Sequence, residues 1–185
     1  SGQRDLSAFI GQAVSGTAFF REQCPQQFGL STPEKAIICA SHSGTDEHFA
    51  TVASMQAKVK ISETELMCGV HEPMDRLTAM RMHDEKQTVT SNRHNCSGKH
   101  TGMLAYACLK SQRGDDLPAG LPYIDPTHPI QKEILQTFAE MCGIPVERVE
   151  LGIDGCSAPN FAVPLRKAAL AYARLSDPAS GGVRS

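Results

Sequence analysis

The stretch Asn95-Cys96-Ser97-Gly98-Lys99-His100 directly precedes an apolar segment with helical periodicity. Its Cys-x-x-Lys spacing predicts that sulfur and amine lie on one side of a tight turn or a first helical turn. A second polar stretch, Asp154-Gly155-Cys156-Ser157, follows a strand-like segment much later in the chain. We therefore expect two thiols and one amine from distant positions to meet in one site.

Thiolate sulfur and nitrogen are the donors that zinc prefers, so these three groups predict a zinc site. Lys99 is an unusual ligand because its amine must first lose a proton. Partial burial and a nearby dication both favour the neutral amine. The alternative is plain packing, since cysteine is among the most buried residue types. Cys96 and Cys156 lie among Asn, Ser, Gly and Asp, where packing cysteines are less expected.

The composition is that of an ordinary globular protein with one domain. The chain has 185 residues, of which 41% are hydrophobic and 21% charged, and its net charge is −2. Scattered Lys and Arg residues predict no nucleic-acid partner. No apolar stretch approaches the roughly 20 residues of a membrane helix, and we expect no signal peptide, because the opening residues lack its pattern. We predict a cytoplasmic protein whose seven cysteines are reduced.

The apolar pattern predicts a mixed α/β or α+β fold in which helices dominate. Helices are expected over 46–58, 100–112, 126–143 and 164–175, and a short helical turn is expected after Ser62. Ala36 to Ala40 is predicted as a strand or short apolar segment, 86–90 as β-prone, and 149–153 as a strand. The type of the stretches 7–14 and 17–22 stays open.

Ser41 is the strongest hydroxyl candidate, because it ends an apolar run and precedes a Gly-bearing turn. It could be an exposed nucleophile or could donate a hydrogen bond to substrate. A local turn or a helix N-cap is the alternative. Cys96 is an alternative thiol nucleophile, because His94 and His100 flank it in sequence. His71 lies in a polar loop that faces substrate or simply turns the chain.

The chain resembles the asparaginase II family, the rhizobial-type or class 3 L-asparaginases, from about residue 28 to residue 178. Four separated strings carry this resemblance in the right order: Cys39-Ala40-Ser41-His42-Ser43-Gly44, Cys68-Gly69-Val70-His71-Glu72-Pro73, Asn95-Cys96-Ser97-Gly98-Lys99-His100 and Gly152-Ile153-Asp154-Gly155-Cys156.

The resemblance implies a serine β-lactamase-like fold and hydrolysis of asparagine to aspartate and ammonia. It implies that Ser41 is an active-site serine, that the zinc ligands are Cys96, Lys99 and Cys156, and that Asp154 is a polar group beside the metal. We assign Asp154, His71 and Asn95 to substrate binding, with asparagine as the partner; a homodimer is compatible with this interpretation.

Two departures from the family pattern are expected to matter. Family chains carry a Ser-x-x-Lys element before these motifs, whereas the nearest string here is Ser7-Ala8-Phe9-Ile10. Family chains also continue with more sheet and a Gly-rich segment that contains lysine. We expect residues 1–185 to be a single, incomplete copy of the domain, truncated at both ends. The alternative function is an inactive zinc-binding fragment or homologue that binds a small amide or a partner without catalysis.

Overall fold

A computed structural model describes residues 7–177, with side chains from Gln12 onward except at positions 14 and 15. The expectation about Ser7 and Ile10 therefore concerns side chains outside those described. The α-helices are α1 (Ser7–Arg21), α2 (Cys24–Gln27), α3 (Thr32–Cys39), α4 (Asp46–Val59), α5 (Arg76–Asp84), α6 (Ser97–Gln112), α7 (Pro129–Cys142) and α8 (Leu165–Ser176). Short 3-10 helices span Glu63–Glu65, Ser91–Arg93 and Val146–Arg148, and the strands are β1 (Glu150–Ile153) and β2 (Pro159–Ala162).

The helix-rich architecture with a small sheet is compatible with the predicted α+β class. The four predicted long helices are present as α4, α6, α7 and α8, and their ends follow local signals. Thr45 caps α4 by accepting a hydrogen bond from the backbone of His48. Gly143 ends α7 with a φ of 60°, a left-handed conformation that glycine adopts without strain. The stretches 7–14 and 17–22 form one helix, α1.

Two predicted extended segments are wrong. Residues 36–39 belong to α3. This helix begins with a capping box formed by Ser31 and Glu34, and Ile37 and Ile38 lie on its buried face. Residues 86–90 form no strand, because the chain closes the end of α5 with Gln87 N–H donating to the Met82 carbonyl. Ser41 therefore follows a helix rather than a strand.

A buried carboxylate ties the start of α3 to α4. Glu34 is 2% exposed and receives hydrogen bonds from Ser31 and Ser54 and an ion pair from Lys58 at 2.7 Å. Burial alone would raise the pKa of Glu34, but these contacts, led by Lys58, outweigh it and lower the pKa to about 2. The ionised form of Glu34 therefore stabilises the fold.

Glu34→Gln should lower the free energy of unfolding near neutral pH by about 3 kcal/mol. Because the pKa is lowered on folding, this contribution is present above the unfolded pKa of 4.5 and is lost as the pH falls towards about 2. Urea unfolding at several pH values measures it, with the exposed Glu147→Gln as control. If the difference in the free energy of unfolding between Glu34→Gln and the wild type stayed constant from pH 7 to pH 3, the stabilising role of ionised Glu34 would be contradicted.

Helix α6 lies at the centre of the fold, in contact with α1, α2, α3, α4 and α7. It crosses α3 closely at two glycines four residues apart. A Cβ on Gly98 would lie 2.3 Å from the Ile37 carbonyl oxygen, and one on Gly102 would lie 2.8 Å from an Ile38 methyl carbon. These glycines therefore bring the first turn of α6 next to the end of α3, where Ser41 follows.

Strands β1 and β2 pair antiparallel, with Glu150 opposite Ala162 and Ile153 opposite Pro159. Residues 154–158 connect them in a tight turn that is closed by Asp154 N–H donating to the Ala158 carbonyl. Phe161 of β2 packs against Phe138 of α7, with ring centroids 4.8 Å apart. The hairpin is thereby attached to the core, and its turn is directed at α6.

Among the described residues the buried apolar side chains form one cluster, with Met82 of α5 as the exception. No helix within residues 7–177 is both long enough and apolar enough to cross a membrane.

Candidate functional site

One cleft of about 300 Å³ collects side chains from α1, the segment after α3, the start of α6 and the hairpin turn. Every residue that the sequence predicted for the site lines this cleft: Ser41, His71, Asn95, Cys96, Lys99, Asp154 and Cys156. Three further residues complete the lining: Gln12, His94 and Gly155. The structure thus brings together groups that lie more than a hundred residues apart in sequence.

The start of α6 presents the first sulfur and the amine. Cys96 is the residue before the helix, Lys99 is its third residue, and His100 N–H donates to the Cys96 carbonyl to close the first turn. Both side chains are largely buried, with Lys99 9% exposed. The predicted placement of Cys96 and Lys99 on one side of a first helical turn is confirmed.

The hairpin turn presents the second sulfur and a carboxylate. The Cys156 backbone N–H donates to Asp154 Oδ1 at 2.7 Å, and the Cys156 sulfur lies 2.7 Å from the same oxygen. Lys99 Nζ donates to the other oxygen, Oδ2, at 3.0 Å. Cys156 is 2% exposed, its thiol donates to Asp154 Oδ1, and it lines the same cleft as Cys96 and Lys99. The two distant sulfurs and the amine therefore converge.

The charges in this cluster depend on one another. The neighbouring Cys156 thiol, followed by the Lys99 charge, lowers the pKa of the Cys96 thiol to about 7 despite its burial. The neighbouring Cys96 and burial raise the pKa of Cys156 far above that of an ordinary thiol. Burial opposes the charge on Lys99, but Cys96, Cys156 and Asp154 raise its pKa. The cluster thus places a thiol of lowered pKa beside an ammonium–carboxylate pair.

Ser41 lies at the mouth of the cleft with its side chain exposed. Its hydroxyl donates to Gln12 Oε1 at 3.0 Å. Gln12 is held in turn by donation from its Nε2 to the Ile38 carbonyl at 3.2 Å. The N-cap alternative for Ser41 is wrong, because Thr45 is the N-cap of α4.

The cleft wall is formed by two histidines and an asparagine. His71 is exposed, and its ring meets that of His94 edge to face at 5.8 Å. His94 accepts from the Cys96 backbone N–H at 3.0 Å, and burial, with the Lys99 charge, lowers its pKa. Asn95 is half-buried, and its carbonyl accepts from the His42 backbone. These groups present polar surface to whatever enters the cleft.

Four residues near the site were not predicted for it. Gln12 lies in a stretch whose type could not be predicted, and Tyr123 lies in a loop. His94 and His100 were considered only as neighbours of Cys96; His94 contacts its backbone, and His100 instead hydrogen-bonds to Tyr123. Adjacency in sequence was the only signal for the histidines, and nothing in the sequence indicated the other two.

Two sulfurs and one nitrogen are donor types that zinc binds. The pKa of Cys96 is lowered, but the pKa of Lys99 is raised, so that its ammonium would have to lose a proton before it could bind a metal. The expectation that burial makes this amine neutral is therefore wrong, because the surrounding acidic groups outweigh the burial. Among residues 7–177, no group of three or more His, Cys, Asp and Glu side chains has a metal-holding arrangement. Of the three predicted zinc ligands, only Cys96 and Cys156 are of these residue types, and the third ligand is Lys99.

A family model described as L-asparaginase II matches residues 11–184. No individual curated protein matches the chain. The family match covers almost the whole sequence and includes all the residues that line the cleft. The four polar strings and the cleft in which they meet are thus features of a member of a known family, and the chain belongs to the L-asparaginase II family.

Proposed function

We propose that the chain hydrolyses the side-chain amide of asparagine to aspartate and ammonia, using Ser41 beside a zinc ion held by Cys96, Lys99 and Cys156. One observation carries the proposal: the exposed Ser41 hydroxyl lies in the same cleft as the two sulfurs, the amine and Asp154. The family match supports the reaction class, because the family model describes L-asparaginases.

The Ser41 oxygen would attack the amide carbonyl carbon of the substrate. A carbon–oxygen bond forms, the carbon–nitrogen bond breaks, and the amide nitrogen leaves as ammonia with the proton that Ser41 gives up. Water then cleaves the acyl-enzyme to aspartate and restores the hydroxyl. Gln12 orients the Ser41 hydroxyl in the free protein, but an amide oxygen cannot take up its proton.

Zinc, when bound, would orient the substrate and polarise groups near it, without generating the nucleophile. The backbone would fix the positions of the three ligands, because Cys96 and Lys99 lie on one helical turn and Cys156 lies on a tight hairpin turn. Asp154 pairs with Lys99 at 3.0 Å and so keeps the amine directed at the two sulfurs. Asp154, His71 and Asn95 would contact the polar ends of the amino-acid substrate from the cleft wall.

The serine β-lactamase-like fold, the cytoplasmic location and a homodimeric assembly belong to this proposal as well. The described cysteines are free thiols, and a reducing compartment suits them.

The purified chain should release ammonia from asparagine well above background, with one aspartate formed per ammonia. Coupled detection of ammonia, with chromatography of the amino acids, measures both products. Glutamine as second substrate reports the preference for side-chain length, and heat-denatured protein gives the background. If zinc binds but no ammonia appears with either amide, the alternative holds: a non-catalytic zinc-binding homologue.

A thiol enzyme is a second candidate, and the pKa of Cys96 near 7 favours it. Cys96 would then attack the substrate directly, and Ser41 would only donate a hydrogen bond to it. This candidate predicts inactivation by alkylation of Cys96 whether or not zinc is present.

A further inference from the structure

His42 follows Ser41 directly in the chain and has no part in the chemistry above, although it is only 6% exposed. A serine in the segment after a helix attacks a substrate efficiently only if its backbone is fixed, because a displacement of about 1 Å can lower the rate about 100-fold. The contacts of His42 determine how the backbone next to Ser41 is fixed.

His42 contacts the residues on both sides of Cys96. Its backbone N–H donates to the Asn95 carbonyl at 3.1 Å, and its Nε2 atom lies 2.8 Å from the Ser97 hydroxyl oxygen. Asn95 precedes Cys96 in the chain, and Ser97 follows it. The two contacts therefore hold the segment at Ser41 against the start of α6, at the point where Cys96 lies.

The hydrogen bonds of the neighbouring groups fix the tautomer of His42. The Gly44 backbone N–H donates to Nδ1 at 3.1 Å, so Nδ1 carries no proton and the neutral ring bears its proton on Nε2. Burial, together with nearby histidines, lowers the pKa of His42 to about 4, which keeps the ring neutral near pH 7. The Ser97 hydroxyl donates its own proton to the Asn92 carbonyl at 3.0 Å and therefore accepts the proton of Nε2.

The contact between His42 and Ser97 is shielded from water. Ser97 is 0% exposed, so the loss of either partner leaves a buried polar group without its hydrogen bond. Gln12 holds the Ser41 hydroxyl from α1, whereas His42 holds the adjacent backbone against α6. The contacts of His42 thus set where Ser41 lies relative to Cys96.

We propose that His42 is a positioning residue that fixes Ser41 relative to Cys96 by hydrogen-bonding to Asn95 and Ser97. This inference rests on the proposed function, in which Ser41 attacks the substrate amide beside the zinc ligand Cys96. The side-chain contact to Ser97 includes none of the groups assigned to substrate binding. Its loss should therefore lower kcat and change KM little.

Three substitutions separate this contact from simple packing. Ser97→Ala removes the acceptor of the Nε2 proton. His42→Asn places its amide at the level of Nδ1, where it can accept from Gly44 but cannot reach Ser97. His42→Gln places an amide N–H where Nε2 lies and so keeps the donor to Ser97. His83→Asn and Ser111→Ala are the controls, because both residues are exposed and lie outside the cleft.

Steady-state kinetics with asparagine, zinc content and urea unfolding are measured on each variant. We expect kcat for ammonia release to be about 10- to 100-fold lower in Ser97→Ala and in His42→Asn, with KM within about twofold and zinc content unchanged. His42→Gln, which keeps the hydrogen bond, should stay within about fivefold of the wild type. The double variant His42→Asn/Ser97→Ala should be no less active than the more impaired single variant, because both changes remove the same contact.

Losses that multiply in the double variant, or single variants within about twofold of the wild type, would overturn the inference and leave the proposed reaction intact. Loss of zinc together with activity would also overturn it, because the contact would then serve the metal site. A wild-type chain that releases no ammonia would overturn both this inference and the proposed reaction. If Ser97→Ala does not fold, as judged by circular dichroism, His42→Asn and His42→Gln decide the question, because equal losses in the two would overturn the inference.

Discussion

Ser41→Ala should reduce ammonia release from asparagine by about 1000-fold or more, because the substitution removes the atom that forms the acyl-enzyme. Ser41 is exposed, so the loss of its hydroxyl should leave the midpoint of urea unfolding nearly unchanged. The zinc content should also stay at the wild-type level, since the oxygen is not among the proposed ligands. Steady-state kinetics, urea unfolding and metal analysis on the same preparation measure the three quantities.

Ser43→Ala is the matched control, since this serine lies in the same loop but does not line the cleft. It should retain activity within about twofold of the wild type, as expected for a change outside the site. The serine mechanism would be contradicted if Ser41→Ala remained active and was inactivated by alkylation of Cys96. That result would support the thiol enzyme. A variant that loses zinc together with activity would show that Ser41 is part of the metal site.

Cys156→Ala should lower the zinc content from about one per chain to nearly none, because a site of two sulfurs and one amine loses one of its strongest donors. Ammonia release should fall with it by about 100-fold, the upper range for a lost metal contact. Native mass spectrometry gives the zinc stoichiometry, and the coupled ammonia assay gives the rate.

Cys108→Ala is the control for removal of a cysteine, because Cys108 is a half-buried thiol on α6 away from the cleft. It should keep both zinc and activity. If Cys156→Ala retains a full equivalent of zinc, the metal binds at a site that does not include Cys156.

The sequence was most informative where the determinants are local. Cys96 and Lys99 are three positions apart at a helix start, so their shared orientation follows from helical geometry alone. Thr45 and Gly143 are end signals of the same local kind. The apolar run from Ala36 was misassigned because a short buried segment lacks periodicity, although Ser31 and Glu34 carried a helix-start signal.

Contacts between distant segments could not be predicted. Gln12 and Ser41 are 29 positions apart, and His100 and Tyr123 are 23 positions apart. Each pair meets only because the packing around α6 brings its segments together, and no local pattern encodes that packing. The convergence of Cys96 with Cys156 was predicted from residue chemistry and family resemblance rather than from any pattern of secondary structure.

Zinc K-edge X-ray absorption on the purified chain tests the central claim most directly, because it counts the atoms bound to the metal. We predict two sulfur scatterers at about 2.3 Å and nitrogen or oxygen donors at about 2.0–2.2 Å. Cys156→Ala, which should bind almost no zinc, should show almost no zinc absorption edge. A spectrum with only nitrogen and oxygen neighbours would contradict a zinc site built from Cys96, Lys99 and Cys156.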